Sequence, residues 1–392
     1  MITVAEALAR VLALAPAPRA ETVALDAAYG RALLDAPATA LTQPPFDSAA
    51  MDGYALREAD LPGPLEIIGE AAAGHPWRGT PRPGTAIRIF TGAPVPAFYD
   101  RVEMQENTQR DGDRVTVTSP SAGRHIRPRG GDFAAGHRLA PGRRLSAADV
   151  GLLAAMNVPH IRVARQPVVA ILATGDELVA PGATPGEGQI ISSNDLAIAA
   201  LAAEAGGLPR VLPIARDTAE DLQRALDAAR GADLLVTIGG ASVGDHDLIG
   251  KIAEDQGFER DFHKISMRPG KPLLSGRLAG MPLLGLPGNP VSAVTCGILF
   301  MQPLLRAMQG LMPGPRRLRA RLARPLPPEG PREHYLRARL IPGDDLPLAD
   351  PFDNQDSALL SVLSSADALL IRPAGDAARE VGETLDYIPL GP

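Results

Sequence analysis

Apolar residues recur along this chain with a period that changes several times. Leu8, Val11 and Leu12 form a helical stripe, and Thr3 with Glu6 makes a T-x-x-E capping box, so the chain is predicted to open on a helix. Proline-rich sequence follows to residue 41. From 42 to 139, short apolar runs ("LEIIGEAAAG", "TAIRIF", "DRVTVTS") alternate with Pro and Gly turns, which predicts a β-rich domain. Residues 140–165 return to helix in "SAADVGLLAAMNV", with Ser146 as N-cap, and join residues 1–41 as a helical linking domain.

The stretch 166–311 reads differently. "PVVAILAT", "ADLLVTIGG" and "PLLGLPGNP" are continuous apolar runs of strand length. Between and after them lie helical patterns: "SNDLAIAALAAEAGG", "TAEDLQRALDAARG" and the long apolar "VSAVTCGILFMQPLLRAMQG". Strands apolar on both faces, alternating with helices, predict a central doubly wound, mostly parallel α/β domain. Residues 312–392 return to short runs with many prolines and glycines, a second β domain. The fold class is thus a multidomain α/β plus β chain.

In open parallel sheets, ligands bind beyond the carboxyl ends of the strands. Three loops of small residues follow the three buried strands: "ATGDEL" with Asp176 and Glu177, "GGASVGDHD" with Asp245 and Asp247, and "LPGNP". Small residues let main-chain N–H groups approach phosphate oxygens. Carboxylates on the same rim would repel phosphate unless a divalent cation stood between them, and Mg²⁺ uses such oxygen donors. The pattern suggests a site for a phosphorylated ligand with Mg²⁺. "GGASVG" lacks the middle glycine of G-x-G-x-x-G, and no Lys-Ser/Thr follows its last glycine, which disfavours a Rossmann dehydrogenase and a P-loop NTPase. Helix capping is the competing reading for Asp176, Asp217 and Asp245, and a helix-dipole contact for Glu177.

The 39 basic and 45 acidic residues leave a net charge of −6, which argues against nucleic acid as a partner. Lysine occurs only at Lys251, Lys264 and Lys271 among many arginines. Arg268 and Lys271 flank the rigid Pro-Gly turn of "SMRPGKP", an arrangement that can hold an oxyanion, with a solvated turn as the alternative. Cys296 is a single cysteine in an apolar run, read as a buried, inert thiol. The histidines show no metal-ligand spacing. The N-terminus has no basic stretch before its apolar part, and no apolar run reaches membrane-span length, so a soluble, cytoplasmic protein with no membrane partner is expected.

"FDSAAMDGYA" (Phe46 to Ala55), "IFTGAPVP" (Ile89 to Pro96), "TGDEL", "GGASVGDHD", "RPGKP" and "LPGNPVSA" stand in the order found in molybdopterin molybdenumtransferases, including bacterial MoeA and the E domain of gephyrin. The chain resembles this family over nearly its whole length. The resemblance implies an elongated homodimer of four-domain subunits with the active cleft between subunits. It implies that adenylylated molybdopterin and molybdate are converted, with Mg²⁺, to molybdenum cofactor and AMP. A molybdopterin adenylyltransferase and later cofactor-maturation or acceptor proteins are the implied partners. The acids that carry over are Asp52, Asp132, Glu177, Asp217 and Asp247, with Thr91; Glu177 and Asp247 are the expected Mg²⁺ ligands. Gly239, Gly240, Ser242 and Gly244, with Pro287, Gly288 and Asn289, are expected to hold the nucleotide. Lys264, Arg268, Lys271, Ser292, Arg337 and Ser357 match positions around the family's oxyanion site. The chain departs from the family pattern at Ser48, at Gly131 before Asp132, at Glu103 where an apolar residue is usual, and at Asp356, where "QDS" replaces "QGS". The alternatives are an adenylyltransferase, which needs only the α/β domain, and a non-catalytic dimeric scaffold, which has no need of clustered acids.

Overall fold

The computed structural model describes residues 1–239 and 257–391. Helix α1 (Val4–Ala13) begins at Thr3, whose side chain accepts from the Glu6 N–H at 3.1 Å, as the capping pattern predicts. Its buried face (Val4, Ala7, Val11) packs into the core of the α/β domain. The linking region is less helical than expected. Strand Ala20–Ala24 pairs antiparallel with strand His160–Ala164, beside helix α2 (Ala147–Ala155). Ser146 caps α2 in a reciprocal capping box with Asp149.

The first β domain is a six-stranded sheet of β1 (Gly53–Leu56), β2 (Leu65–Ala71), β3 (Thr85–Ile89), β4 (Arg101–Met104), β5 (Thr108–Asp111) and β6 (Arg114–Val117), in the order β4-β1-β3-β2-β6-β5. Antiparallel pairing sets Gly53 opposite Ile89 and Tyr54 opposite Glu103.

The α/β domain holds β7 (Val168–Ala173), β8 (Leu208–Val211), β9 (Leu234–Ile238), β10 (Phe258–Lys264), β11 (Met267–Arg268), β12 (Pro272–Leu278) and β13 (Met281–Leu286). Its main sheet has the order β8-β7-β9-β13-β12-β10. The first four strands are parallel, and β12 and β10 extend them antiparallel. The reversal comes from the two-residue turn Ala279-Gly280, both at positive φ (48° and 85°), the geometry of a tight hairpin. Alternate residues of β7 face opposite layers. Val169 and Ile171 meet α3 (Asn194–Glu204) and α5 (Pro290–Met308), while Ala170 and Leu172 meet α4 (Ala219–Ala228). Burial on both faces is why these strands read as unbroken apolar runs. Helix α5 is long and apolar enough to cross a membrane, but 89% of that window is buried in the core. Gly297 opens a π-helical stretch at its middle, where a Cβ would lie 2.9 Å from Leu201 of α3.

Two capping expectations are corrected. No helix follows "TGDEL"; Leu178–Val179 is a short strand paired parallel with Ile190–Ile191, so Asp176 caps nothing and Glu177 serves no helix dipole. Helix α4 is capped by Thr218, whose side chain accepts from the Asp221 N–H, not by Asp217. Asp245 and the rest of its loop lie outside the described residues.

The C-terminal β domain comprises β14 (Leu318–Leu322), β15 (Glu333–Ile341), β16 (Leu348–Pro351), β17 (Ala368–Arg372) and β18 (Thr384–Pro389). They run β15-β16-β14-β18-β17, and β17 pairs back to β15 to close a barrel. β11 of the α/β domain adds to β15 in parallel, with Met267 opposite Glu333 and Arg268 opposite His334. That pairing brings the second β domain to the loop that carries Arg268 and Lys271.

Candidate active site

Parallel neighbours β7, β9 and β13 end on one edge, so the chain leaves them at Thr174, Gly239 and Pro287 from a common rim. The Thr174 N–H donates to the Ile238 carbonyl at 3.1 Å, and the Gly239 N–H to the Leu286 carbonyl at 3.2 Å. Gly239 has φ 88°, and a Cβ there would sit 2.7 Å from the Thr174 carbonyl oxygen, so only glycine fits. The Asn194 amide donates to the Gly288 carbonyl at 2.7 Å, tying the Pro287–Asn289 loop to the start of α3. Glu177 folds its carboxylate over Gly175, where a Cβ would meet its oxygens at 2.4 and 2.7 Å. Asp176 accepts from the Asp217 N–H at 3.2 Å, so three acids gather at this rim. Gly240, Ser242, Gly244 and Asp247 lie outside the described residues.

Beside this rim lies a cavity of about 350 Å³ at the junction with the C-terminal barrel. Arg268, Lys271 and Ser292 line it from the α/β domain, and Gln355, Asp356 and Ser357 from the barrel domain. The two domains are stitched there. Asn289 donates to the Ser357 hydroxyl at 3.0 Å, and the Val291 N–H to the Ser357 carbonyl at 3.0 Å. The turn carrying Lys271 rests on Gly270 (φ 102°), where a Cβ would be 2.6 Å from the Cys296 sulfur. Burial pushes the Cys296 thiol up, which leaves it the inert core residue expected from its apolar surroundings. Lys264 stands opposite Pro272 in the β10–β12 pair, at the edge of this turn.

Arg337 stands behind the lining. It is fully buried, and its Nε and Nη1 have no hydrogen-bond partner among the described residues. Gln355 holds its main chain through both N–H and C=O (3.0 Å each). Burial lowers the Arg337 pKa, Asp356 raises it and Arg268 lowers it further, which ties the three together electrostatically. A guanidinium stays charged despite such a shift, so Arg337 adds positive potential behind the cavity wall.

The third element lies in the first β domain. Asp52 precedes β1 and Thr91 follows β3, and the β1–β3 register brings them together. One Asp52 oxygen accepts from both the Thr91 N–H (2.8 Å) and its hydroxyl (2.7 Å). These two bonds, the main-chain one first, hold the Asp52 carboxyl below the usual range. Asp132 is exposed on the loop before Phe133 and anchored by its own N–H to the Gln43 carbonyl at 3.0 Å.

Comparison with known proteins decides what these parts belong to. A family model described as the MoeA N-terminal region (domain I and II) matches residues 2–157. A probable molybdopterin binding domain matches 170–307, and the MoeA C-terminal region (domain IV) matches 319–390. A molybdopterin molybdenumtransferase of Nostoc sp. is 37% identical, over 91% of this chain and 85% of that protein. Molybdopterin molybdenumtransferase 1 of Mycobacterium tuberculosis is 30% identical, over 98% of both. The chain belongs to the molybdopterin molybdenumtransferase family. The crystal structure of a molybdopterin biosynthesis MoeA protein from Pyrococcus horikoshii, 29% identical, matches all of both chains with a TM-score of 0.82. The family catalyses molybdenum insertion into molybdopterin, and this chain is a transferase of cofactor biosynthesis.

Within this transferase, sequence reasoning passed over Arg332 and Gln355, which also line the cavity. Arg332 has no spacing that marks it, and Gln355 opens the "QDS" motif without a role of its own; both reach the cavity through the way the barrel docks. Three of the four departures from the family pattern have a local setting. Ser48 is buried in a strand pair with Arg127. Glu103 is buried and accepts from Arg101, Asn107 and Ser121. One Asp356 oxygen is turned to the Ala358 N–H at 2.8 Å.

Proposed function

We propose that the chain, as a cytoplasmic homodimer, takes molybdate and adenylylated molybdopterin and releases AMP as the metal enters the dithiolene. The observation that carries this reading is the cavity where Arg268, Lys271, Ser292 and Ser357 converge beside the rim of the parallel strands. It pairs an oxyanion pocket with a rim suited to a nucleotide.

In this reading Arg268 and Lys271 hold molybdate by charge-assisted hydrogen bonds, and the Ser292 and Ser357 hydroxyls orient it. Gly239, Gly240, Ser242, Gly244, Pro287, Gly288 and Asn289 hold the nucleotide, mainly through main-chain groups. The rim acids present all-oxygen donors, and the empty side of Gly175 cradles the Glu177 carboxylate, which fits a hard cation such as Mg²⁺. Glu177 and Asp247 would hold it. When bound, Mg²⁺ would offset phosphate charge as the phosphoanhydride opens. Asp217 orients Asp176 through its N–H. Asp52 stays ionised under its two Thr91 hydrogen bonds and, with Asp132, acts from the first β domain across the cleft between subunits. Lys264 and Arg337 supply the surrounding positive field.

The test is AMP release from adenylylated molybdopterin by purified protein with Mg²⁺, with and without molybdate. Molybdate-dependent release is expected, abolished in Asp247→Asn. Release that ignores molybdate, or full activity of Asp247→Asn, refutes the assignment.

A further inference from the structure

We infer that Arg88 is a positioning residue for Asp52: it clamps the two groups that flank this acid, and so fixes the carboxylate that the first β domain presents to the cleft. The inference rests on the reading of Asp52 as a group that acts on the substrate. Arg88 lies on β3 opposite Tyr54 of β1, one rung from the Gly53–Ile89 pair. Its Nη1 donates at 3.1 Å to the carbonyl of Gly53, the residue that follows Asp52. Its Nη2 donates to the side-chain carbonyl of Gln105, whose own N–H donates to the Asp52 carbonyl at 3.1 Å. One guanidinium therefore spans from the main chain after Asp52 to the residue that braces it from the end of β4.

The clamp is held in its own plane. The guanidinium lies 5.2 Å from the centre of the Tyr54 ring and 4.8 Å from that of Phe90, two cation–π contacts that restrict where its fork can point. Phe90 immediately precedes Thr91, whose N–H and hydroxyl hold the Asp52 carboxylate. Gly53 can offer no side chain as a support, because a Cβ there would lie 1.8 Å from the Glu103 carbonyl oxygen. Arg57, Arg82 and Arg101 of this domain pair with acids, whereas Arg88 forms no ion pair among the described residues. Its charge acts through space on Asp52, adding to the two Thr91 hydrogen bonds that favour the ionised carboxyl. The other acids at this corner are engaged elsewhere. Glu106 accepts from the Gln105 amide at 3.3 Å, and Asp47 from the Arg129 N–H at 2.7 Å.

The experiment is AMP release by the full-length enzyme across pH, at saturating molybdate and Mg²⁺, in Arg88→Lys, Arg88→Gln, Gln105→Ala and Asp52→Asn. Arg88→Lys keeps the charge, but a single ammonium cannot span Gly53 and Gln105. Its kcat is expected to fall about tenfold or more, the worth of a hydrogen bond from a charged group, with the acid limb of the kcat/KM profile in place. Arg88→Gln loses the charge as well. Its kcat should fall at least as far, and its acid limb should move to higher pH, because removing a nearby cation raises a carboxyl pKa. Gln105→Ala leaves the main-chain N–H to Asp52 and cuts only the brace, so a several-fold loss of kcat is expected. Asp52→Asn is the control. If it is fully active, the reading of Asp52 falls and the inference with it. If it is inactive and the acid limb of Arg88→Gln does not move, the Arg88 inference alone is overturned, because a merely structural arginine would lower kcat without shifting that ionisation. Wild-type kcat in both Arg88→Lys and Gln105→Ala overturns it too, and these two variants carry the test should Arg88→Gln fail to fold.

Discussion

Glu103 offers a quantitative test of how the first β domain holds Asp52. It is fully buried on β4, opposite Tyr54 of β1, and the adjoining Gln105 N–H donates to the Asp52 carbonyl at 3.1 Å. Burial pushes its carboxyl up, but hydrogen bonds from Ser121, Asn107 and Arg101 outweigh that and hold it low and ionised. Arg101 is itself almost fully buried. Removing one partner of a buried ion pair typically costs about 3–5 kcal/mol, because the other charge is stranded. Arg101 would keep Glu58 at 3.2 Å and the carbonyls of Ser121 (2.8 Å) and Gly123 (3.3 Å), so the lower end, about 3 kcal/mol, is expected for Glu103→Ala. The only tryptophan, Trp77, packs against this domain's core with its ring against Gly69 and Gly79, so its fluorescence reports this domain. With a urea slope of about 2 kcal/mol/M, the midpoint should fall by about 1.5 M. The double variant Arg101→Leu/Glu103→Leu should recover most of it, since an apolar pair of similar volume strands no charge. A shift below about 0.3 M for the single variant, or a double variant as unstable as the single, refutes the reasoning.

Other tests follow from the same structure. Thr91→Val keeps the main-chain donor to Asp52 but removes the hydroxyl, so the Asp52 pKa should rise and the acid limb of the kcat/KM profile should move to higher pH; an unmoved limb separates Asp52 from that ionisation. Gly270→Ala places a Cβ 2.6 Å from the Cys296 sulfur at φ 102°, which should cost about 1–3 kcal/mol and raise the molybdate KM by displacing Arg268 and Lys271; Cys296→Ala should relieve only the steric part. Burial lowers the His334 pKa below the ordinary histidine range, against the pull of Glu329, which donates nothing and accepts at 2.8 Å. The unfolded chain then takes up the proton first, so this contribution is full above the ordinary histidine pKa and lost as pH falls through the folded one. Thermal midpoints should therefore drop between neutral and mildly acidic pH, and His334→Gln should flatten that drop.

Much of this protein was legible along the chain. The strands Val168–Ala173, Leu234–Ile238 and Met281–Leu286 announced themselves as continuous apolar runs because both of their faces are covered. Thr3 and Ser146 announced helix starts because capping is local, reaching only three residues. The motif loops could be set on one rim because adjacent parallel strands must end on the same edge. Local rules failed where a competing neighbour won. Thr218 rather than Asp217 caps α4, and the segment after Glu177 pairs as a strand with Ile190–Ile191 instead of turning helical. What no local rule could decide was the cavity between the α/β domain and the barrel. It exists because β11 adds to β15 and Ser357 meets Asn289, contacts between residues some 65 or more positions apart. Those pairings put Arg332 and Gln355 at the wall and buried Arg337 behind it. Sequence determines which segments can form strands and which residues can bind an oxyanion; only the docking of two finished domains, governed by the surfaces both bury, determines which of those residues meet.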